Sequence, residues 1–161
     1  MIITEAVPEP TLVSVEALPT AVVRHEGLTV ADLPSVFDAA FPALGASGAS
    51  LAGPAFAHYL GDPRGVFDLE IGFPVSEPLT SDIAGEPTIR PSTLPIGEAL
   101  ALTHVGSYDT LPESWERLSA AAQTQGLTPT GSLEVYVTMP TPDTDPATLR
   151  SDLFLLIAPR S

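Results

Sequence analysis

Residues 104–118 read HVGSYDTLPESWERL, and this stretch decides the fold because it joins the end of a strand to the start of a helix. The preceding residues 98–103, EALALT, have the composition of a short strand. Apolar residues then recur at spacings of three and four, the period of a helix with one buried face. They are Leu111, Trp115, Leu118 and Ala122. The pattern therefore predicts a strand, a tight turn and an amphipathic helix.

Both ends of this helix carry termination signals. Pro112 suits the first turn, where a missing N–H is least costly, and Asp109 is the expected acceptor for the free N–H groups there. Gly126 suits a left-handed C-terminal cap, and Pro129 prevents the helix from continuing. We therefore expect the helix to be bounded on both sides.

A second copy of the same pattern lies earlier in the chain. Matches occur at separations of 79, 78 and 77 residues, which pair 25–27 with 104–106, 33–34 with 111–112, and 57–59 with 134–136. A slowly drifting separation indicates an old duplication with small insertions between elements. The sequence predicts a single domain over residues 1–161, with repeat 1 at about 13–75, a connection rich in Pro, Ser and Gly at about 76–88, and repeat 2 at about 89–158.

Two further strands are expected to close each repeat, over residues 55–60 and 65–73 in the first and residues 133–139 and 152–158 in the second. Side chains alternate between the two faces of a strand. Glu134 and Tyr136 therefore share one face, and we expect the helix to cover the opposite, aliphatic face. Phe56 and Tyr59 fall on opposite faces of their strand, so only one of them can face a common cleft, and we favour Tyr59.

Composition excludes several classes of function. The chain of 161 residues is 44% hydrophobic, enough for a core, and its formal net charge is −14. That charge repels nucleic acid and anionic membranes and favours cationic ligands. Without cysteine there is no disulfide, thiolate nucleophile or zinc–thiolate cluster. The N-terminus lacks a signal pattern and no apolar run reaches the roughly 18 residues of a membrane span, so we expect a cytoplasmic protein with no membrane partner.

The motifs follow one another in a definite order. His-x-Gly-x-Tyr-x-x-Leu at residues 104–111 is followed by Trp115, by Gln-Gly-Leu at 125–127, and by Glu-x-Tyr at 134–136. In this order, with the duplication, the chain resembles the GyrI-like small-molecule-binding domain family. That family is also the effector-binding domain of multidrug-sensing regulators such as BmrR and of Rob-type activators. The resemblance runs from about residue 13 to 158.

The resemblance implies an α+β fold of two strand-helix-strand-strand modules related by a pseudo-twofold axis. The antiparallel sheet would carry the helices on one face, with a ligand cleft between the modules. By the same resemblance, Glu134 matches the glutamate that meets cationic ligands in the family's drug pocket. A carboxylate in an apolar strand is costly unless it is solvated, paired or used. The alternatives are that its face is wet, or that Arg117 or Arg150 neutralises it.

The other candidate ligand-binding residues are aromatic: Tyr136, Tyr108, Trp115, Tyr59 and Phe56. A tyrosine presents a large apolar ring with one polar group, which suits flat amphiphilic ligands. Tyr108 can instead fix the turn, and Trp115 can instead belong to the core. His25 and His104 occupy matching positions, which favours a shared structural duty. No histidine and carboxylate have metal-ligand spacing, so we expect neither a metal nor another cofactor.

The function predicted first is a stand-alone domain that senses or sequesters hydrophobic, often cationic compounds. No basic helix-turn-helix is expected in these residues, so any transcriptional role needs a separate regulator protein. The alternative is a hydrolase of cyclopropanoid or other electrophilic compounds in which Glu134 is the general acid or base. No GxSxG motif supports a serine hydrolase. A third hypothesis, gyrase inhibition, rests only on the family's name.

Overall fold

The computed structural model describes residues 6–60, 65–85, 88–94, 97–138 and 143–159. Within them the chain forms an eight-stranded antiparallel sheet and two α-helices, α1 (Leu33–Gly45) and α2 (Leu111–Gln125). The strands are β1 (Thr11–Val15), β2 (Pro19–Leu28), β3 (Ala55–Leu60), β4 (Phe67–Pro74), β5 (Arg90–Thr93), β6 (Gly97–Val105), β7 (Pro129–Tyr136) and β8 (Arg150–Ile157). The α+β class predicted from the sequence is confirmed. No helix in the described part of the chain is long and apolar enough to cross a membrane.

The sheet has a symmetric strand order, β1-β6-β8-β7-β3-β4-β2-β5, centred on the contact between β7 and β3. In that contact Ala57 pairs with Glu134, two positions that the sequence duplication also relates. A pseudo-twofold axis therefore passes between Ala57 and Glu134. On either side of it, Tyr59 and Tyr136 occupy equivalent positions in β3 and β7.

Two short strands are exchanged between the modules, and the sequence patterns did not predict them. β1 precedes the first module but pairs with β6 of the second. β5 precedes the second module but pairs with β2 of the first. Both strands lie at sheet edges and are largely exposed, so neither shows the alternation that identifies a strand. Pro91 in β5 is tolerated because an edge strand has a side without a ladder.

In the strand order β1 and β2 lie six strand spacings apart, which would separate them by roughly 29 Å if the sheet were flat. Only residues 16–18 connect them, and four Cα steps reach at most about 15 Å. The sheet must therefore curl strongly. The backbone N–H of Leu94, after β5, donates to the carbonyl of Leu18 at 3.0 Å, so the two short connections meet. The concave side holds one apolar cluster, Val15, Val22, Phe56, Leu94, Ala99, Ala101, Leu133, Val135, Phe154 and Leu156.

The helices cover the convex face, each above its own module. α1 buries Val36, Ala40 and Leu44, and α2 buries Leu118 and Ala122. The expectation that a helix covers the aliphatic face of β7 is wrong. Leu133 and Val135 are buried inside the curl instead, while Glu134 and Tyr136 lie on the helix side. Curling buries the aliphatic face against other strands, and this leaves the polar and aromatic face for the helices.

Most of the predicted helix signals are confirmed. Pro34 and Pro112 lie in the first turns of α1 and α2, and Gly126 ends α2 with a φ of 70°. The N–H of Leu127 then donates to the carbonyl of Ala122 at 2.9 Å. The assignment of Asp109 as the acceptor at the helix start is wrong. Ser107 fills that role, because its hydroxyl oxygen accepts from the N–H of Asp109 in the 3₁₀ turn Tyr108–Thr110.

Candidate functional site

The carboxylate of Glu134 is buried near the pseudo-twofold axis, with 7% of the residue exposed. One oxygen, Oε1, accepts hydrogen bonds from the hydroxyls of Tyr136 at 2.7 Å and Tyr59 at 3.1 Å. The other oxygen, Oε2, accepts from the indole N–H of Trp115 at 2.9 Å. All three donors are uncharged, and they come from β7, β3 and α2.

Neither of the arginines considered as partners reaches Glu134. Arg117 pairs with Glu9 at 3.0 Å, and Arg150 pairs with Asp152 at 3.2 Å. Within the described residues, no basic side chain forms an ion pair with Glu134. The hydrogen bonds that the described residues donate to Glu134 therefore come from neutral groups, which add no positive charge.

The duplication explains how one carboxylate collects donors from both modules. Tyr59 and Tyr136 are equivalent residues on either side of the axis, so their hydroxyls converge on it. Ala57 is the equivalent of Glu134, and the site therefore has one acid rather than two. Phe37 is the equivalent of Trp115, since the helix starts are 78 residues apart, and it brings a ring without a donor.

An aromatic cover, defined here as Phe37, Phe41 and Tyr108, lies over Tyr136. Phe37 and Phe41 on α1 stack with ring centroids 5.6 Å apart. Both meet Tyr136 edge-on, at 6.2 and 6.4 Å, and Tyr108 meets it at 6.0 Å. All three rings of the cover are half-buried. The cover is unequally shared, because two of its rings come from α1 and one from the turn before α2.

The tyrosines of the site are held in the neutral form. Burial, followed by the charge of Glu134, raises the pKa of Tyr59 and of Tyr136 well above 10. The same two causes raise the pKa of Tyr108. A phenolate at these positions would be buried without hydration and would lie beside a carboxylate, so ionisation is unfavourable. The hydroxyls therefore remain hydrogen-bond donors at neutral pH.

Five of the six candidate residues are brought together: Glu134, Tyr136, Tyr59, Trp115 and Tyr108. Phe56 is not among them, because it is 2% exposed in the concave cluster on the other face of the sheet. Strand alternation already separated Phe56 from Tyr59. Phe37 and Phe41 were not among the six candidates, although the sequence predicts an aromatic cluster to which the first helix contributes these two rings and the second only Trp115. The signal that could have identified Phe37 is its equivalence to Trp115.

The histidines at matching repeat positions do not make the same contacts. Nδ1 of His104 lies 2.8 Å from the hydroxyl oxygen of Ser114, and its Nε2 lies 3.0 Å from the carbonyl of Ser107. It thus ties the end of β6 to the start of α2. Nε2 of His25 has no hydrogen-bond partner among the residues that the structure describes. His58 faces away from Tyr59, and burial lowers its pKa.

Open cavities lie elsewhere on the surface. One of about 450 Å³ is lined by the N-terminal segment and the start of α2, including His104, Ser114 and Arg117. Another of about 440 Å³ is lined by residues that include Pro78 and Pro91. Neither of these two cavities contains Glu134, which is closed off by the rings around it.

Residues 8–158 match the family model of the GyrI-like small molecule binding domain. The chain belongs to the GyrI-like family. No curated protein matches it.

Solved structures with the same fold include the C-terminal domain of EcmrR, at a TM-score of 0.76 and 16% identity over 93% of this chain and 97% of that one. In a complex of EcmrR with DNA the similarity has a TM-score of 0.72 at 17% identity and covers 92% of this chain but 57% of the longer EcmrR chain. A domain of this fold therefore also occurs as part of a longer chain.

For two further structures of the same fold, a bound ligand or an activity is known. SAV2435 bound to tetraphenylphosphonium has a TM-score of 0.68 and 11% identity, over 93% of this chain and 94% of that one. A hydrolase encoded by lin2189 from Listeria innocua has a TM-score of 0.63 and 13% identity, over 96% and 94%. At identities this low, the structural similarity establishes a shared fold alone.

Proposed function

We propose that this domain binds hydrophobic organic cations, with Glu134 as the counter-charge. The observation that carries the proposal is a buried carboxylate that three neutral groups hold and that no arginine in the described residues pairs. A cation brought beside it supplies the missing positive charge. Two unit charges 4 Å apart attract by about 4 kcal/mol at an effective dielectric near 20, before desolvation is subtracted.

The rings around Glu134 favour ligands that are apolar as well as charged. Aromatic faces bind flat or aryl-substituted molecules and also attract cations. The net charge of −14 further raises the local concentration of cations around the molecule. SAV2435, which has the same fold, binds tetraphenylphosphonium, a hydrophobic cation, and this supports the ligand class proposed here.

Binding requires the aromatic cover to move. Glu134 is 7% exposed, so a ligand as large as tetraphenylphosphonium reaches it only after rings are displaced. Phe37, Phe41 and Tyr108 are half-buried and lie on the outer side of Tyr136, which makes them the groups that open. Their rings would then line the occupied cleft, so the apolar surface that opening exposes is buried again against the ligand.

The test compares tetraphenylphosphonium with tetraphenylborate, ions of nearly the same shape and opposite charge. Glu134→Gln keeps the shape of the side chain and removes its charge. Isothermal titration should show about tenfold weaker binding of the cation, a net preference of about 1.4 kcal/mol, and no weakening of the anion.

Glu116→Gln is the matched control, since Glu116 is an exposed acid on α2 beside Trp115 and changes the net charge equally. It should leave both affinities near those of the wild type. Equal losses for Glu116→Gln and Glu134→Gln would assign the preference to the overall field. Unchanged cation binding in Glu134→Gln would contradict the proposed site.

Hydrolysis is the second candidate function, because a hydrolase from Listeria innocua shares the fold. Glu134 among hydroxyl and indole donors can act as a general acid or base toward water. Turnover of an epoxide or activated cyclopropane by the wild type, with binding but no turnover by Glu134→Gln, would establish it. Any transcriptional role would require DNA-binding residues outside the two modules, as in EcmrR, where the part with this fold covers 57% of a chain that binds DNA.

A further inference from the structure

Ser151, in the middle of the sheet, has a buried hydroxyl with no hydrogen-bond partner. In the described residues three buried side-chain atoms share this condition: Thr20 Oγ1, His25 Nε2 and Ser151 Oγ. Ser151 is 1% exposed, so water does not satisfy it from the surface. An unpaired buried hydroxyl is unfavourable, because folding removes its hydration without replacement.

Ser151 lies on the same face of the sheet as Glu134. It is directly opposite Tyr136 in β7 and His104 in β6. Glu134 is opposite Leu153, so Ser151 and Glu134 are diagonal neighbours on adjacent strands. Diagonal neighbours in an antiparallel pair are about 7 Å apart. The hydroxyl of Ser151 is therefore close enough to the carboxylate of Glu134 for one ligand to contact both.

The polar groups beside Ser151 are already engaged. The hydroxyl of Tyr136 donates to Glu134, and the ring nitrogens of His104 are engaged by Ser114 in α2 and by the turn before it. In the first module the equivalent position is Leu69, which lies opposite Tyr59 and His25. The two sides of the axis therefore differ, since one offers a leucine side chain and the other a free hydroxyl.

From this placement we propose that Ser151 is a specificity-determining residue that hydrogen-bonds a polar group of the ligand. The proposal rests on the proposed function and narrows its ligand class. The preferred ligands are hydrophobic cations that also carry a hydroxyl or carbonyl oxygen on a short arm, because Ser151 and Glu134 are diagonal neighbours on adjacent strands. A site with an unpaired polar group favours the ligand that pairs it over an analogue that does not.

The experiment uses two cations that differ in one group, (4-hydroxybutyl)triphenylphosphonium and pentyltriphenylphosphonium. Both carry the same charge and aryl rings, and only the first has a hydroxyl. Ser151→Ala should weaken the hydroxybutyl compound about fivefold to tenfold relative to the pentyl compound. The melting temperature should not fall, because the deleted hydroxyl has no partner in the folded protein.

Thr20→Val is the matched control. Thr20 also has a buried hydroxyl without a partner, but it shares the concave face with Val22, away from Glu134. This variant should leave the ratio of the two affinities unchanged. If Ser151→Ala does not fold, Ser151→Cys keeps the volume, loses the strong donor and should change the ratio in the same direction.

An unchanged affinity ratio in the Ser151 variants, or an equal change in Thr20→Val, overturns the inference. The proposed function stays intact in that case if the pentyl compound still binds and Glu134→Gln still weakens it. If neither compound binds the wild type, or if Glu134→Gln has no effect on either, the proposed function itself fails and this inference fails with it.

Discussion

Glu134 keeps a carboxylate inside the protein by accepting hydrogen bonds from two phenols and one indole. Charge-assisted hydrogen bonds of this kind are short and about twice as strong as neutral ones. They hold the carboxylate in one orientation without adding a positive charge beside it. The arrangement depends on the phenols staying protonated, since a phenolate would repel Glu134 and could not donate.

The chain has three tyrosines, Tyr59, Tyr108 and Tyr136, and each has a raised pKa in the folded protein. A raised pKa means that the folded state holds these protons more tightly than the unfolded state. The stability that this provides is fully present below the unfolded value, about 10, and is lost as pH rises through the folded values. We therefore expect native protein at pH 10 to show much less phenolate absorbance than three free tyrosines would, with Tyr59 and Tyr136 contributing none.

Ultraviolet absorbance and circular dichroism measured along the same alkaline titration check this prediction. Phenolate should appear together with loss of the fold, while protein unfolded in guanidinium should titrate near pH 10. Phenolate formation by all three tyrosines near pH 10 in a protein that is still folded would contradict the buried positions of Tyr59 and Tyr136.

Elements whose determinants are local were predictable from the sequence. The start of α2 at Pro112 and its end at Gly126 depend on neighbouring residues only, and both were identified. Strands β1 and β5 were not, because they are defined by partners in the other module. The site was partly predictable for the same reason. Five residues followed from motifs and alternation, whereas the roles of Phe37 and Phe41 depend on how α1 lies across Tyr136.

Glycine is required at positions 72 and 126 for different physical reasons. A Cβ at Gly72 in β4 would overlap the backbone carbonyl of Ala21 in β2, so the sheet would have to shift. Gly126 is in open space and requires only its positive φ. We expect Gly72→Ala to lower the free energy of unfolding by about 3 kcal/mol and Gly126→Ala by about 1 kcal/mol. Urea denaturation of the two variants measures both values, and equal losses would argue against the close approach of β2 and β4.

At the scale of the whole molecule, the two modules are interlocked. Each contributes an edge strand to the other, and the curled sheet closes one apolar cluster that draws on both modules, such as Phe56 and Phe154. The candidate site follows the same plan, because Tyr59 of the first module and Trp115 of the second meet at one carboxylate. Ligand binding and the integrity of the interface between modules should therefore be coupled.

The last prediction concerns the independence of the modules. Separated between residues 85 and 86, the fragment 1–85 keeps β1 without β6, and the fragment 86–161 keeps β5 without β2. Each fragment also exposes apolar residues that the other normally covers, so neither should show a cooperative unfolding transition alone. Mixed in equal amounts, the fragments should regain the transition, as monitored by circular dichroism in urea. The control is the full chain cut at the same bond after folding, which should stay associated. A cooperative transition in either isolated fragment would contradict the prediction, because it would mean that this module folds without the strand that the other module contributes.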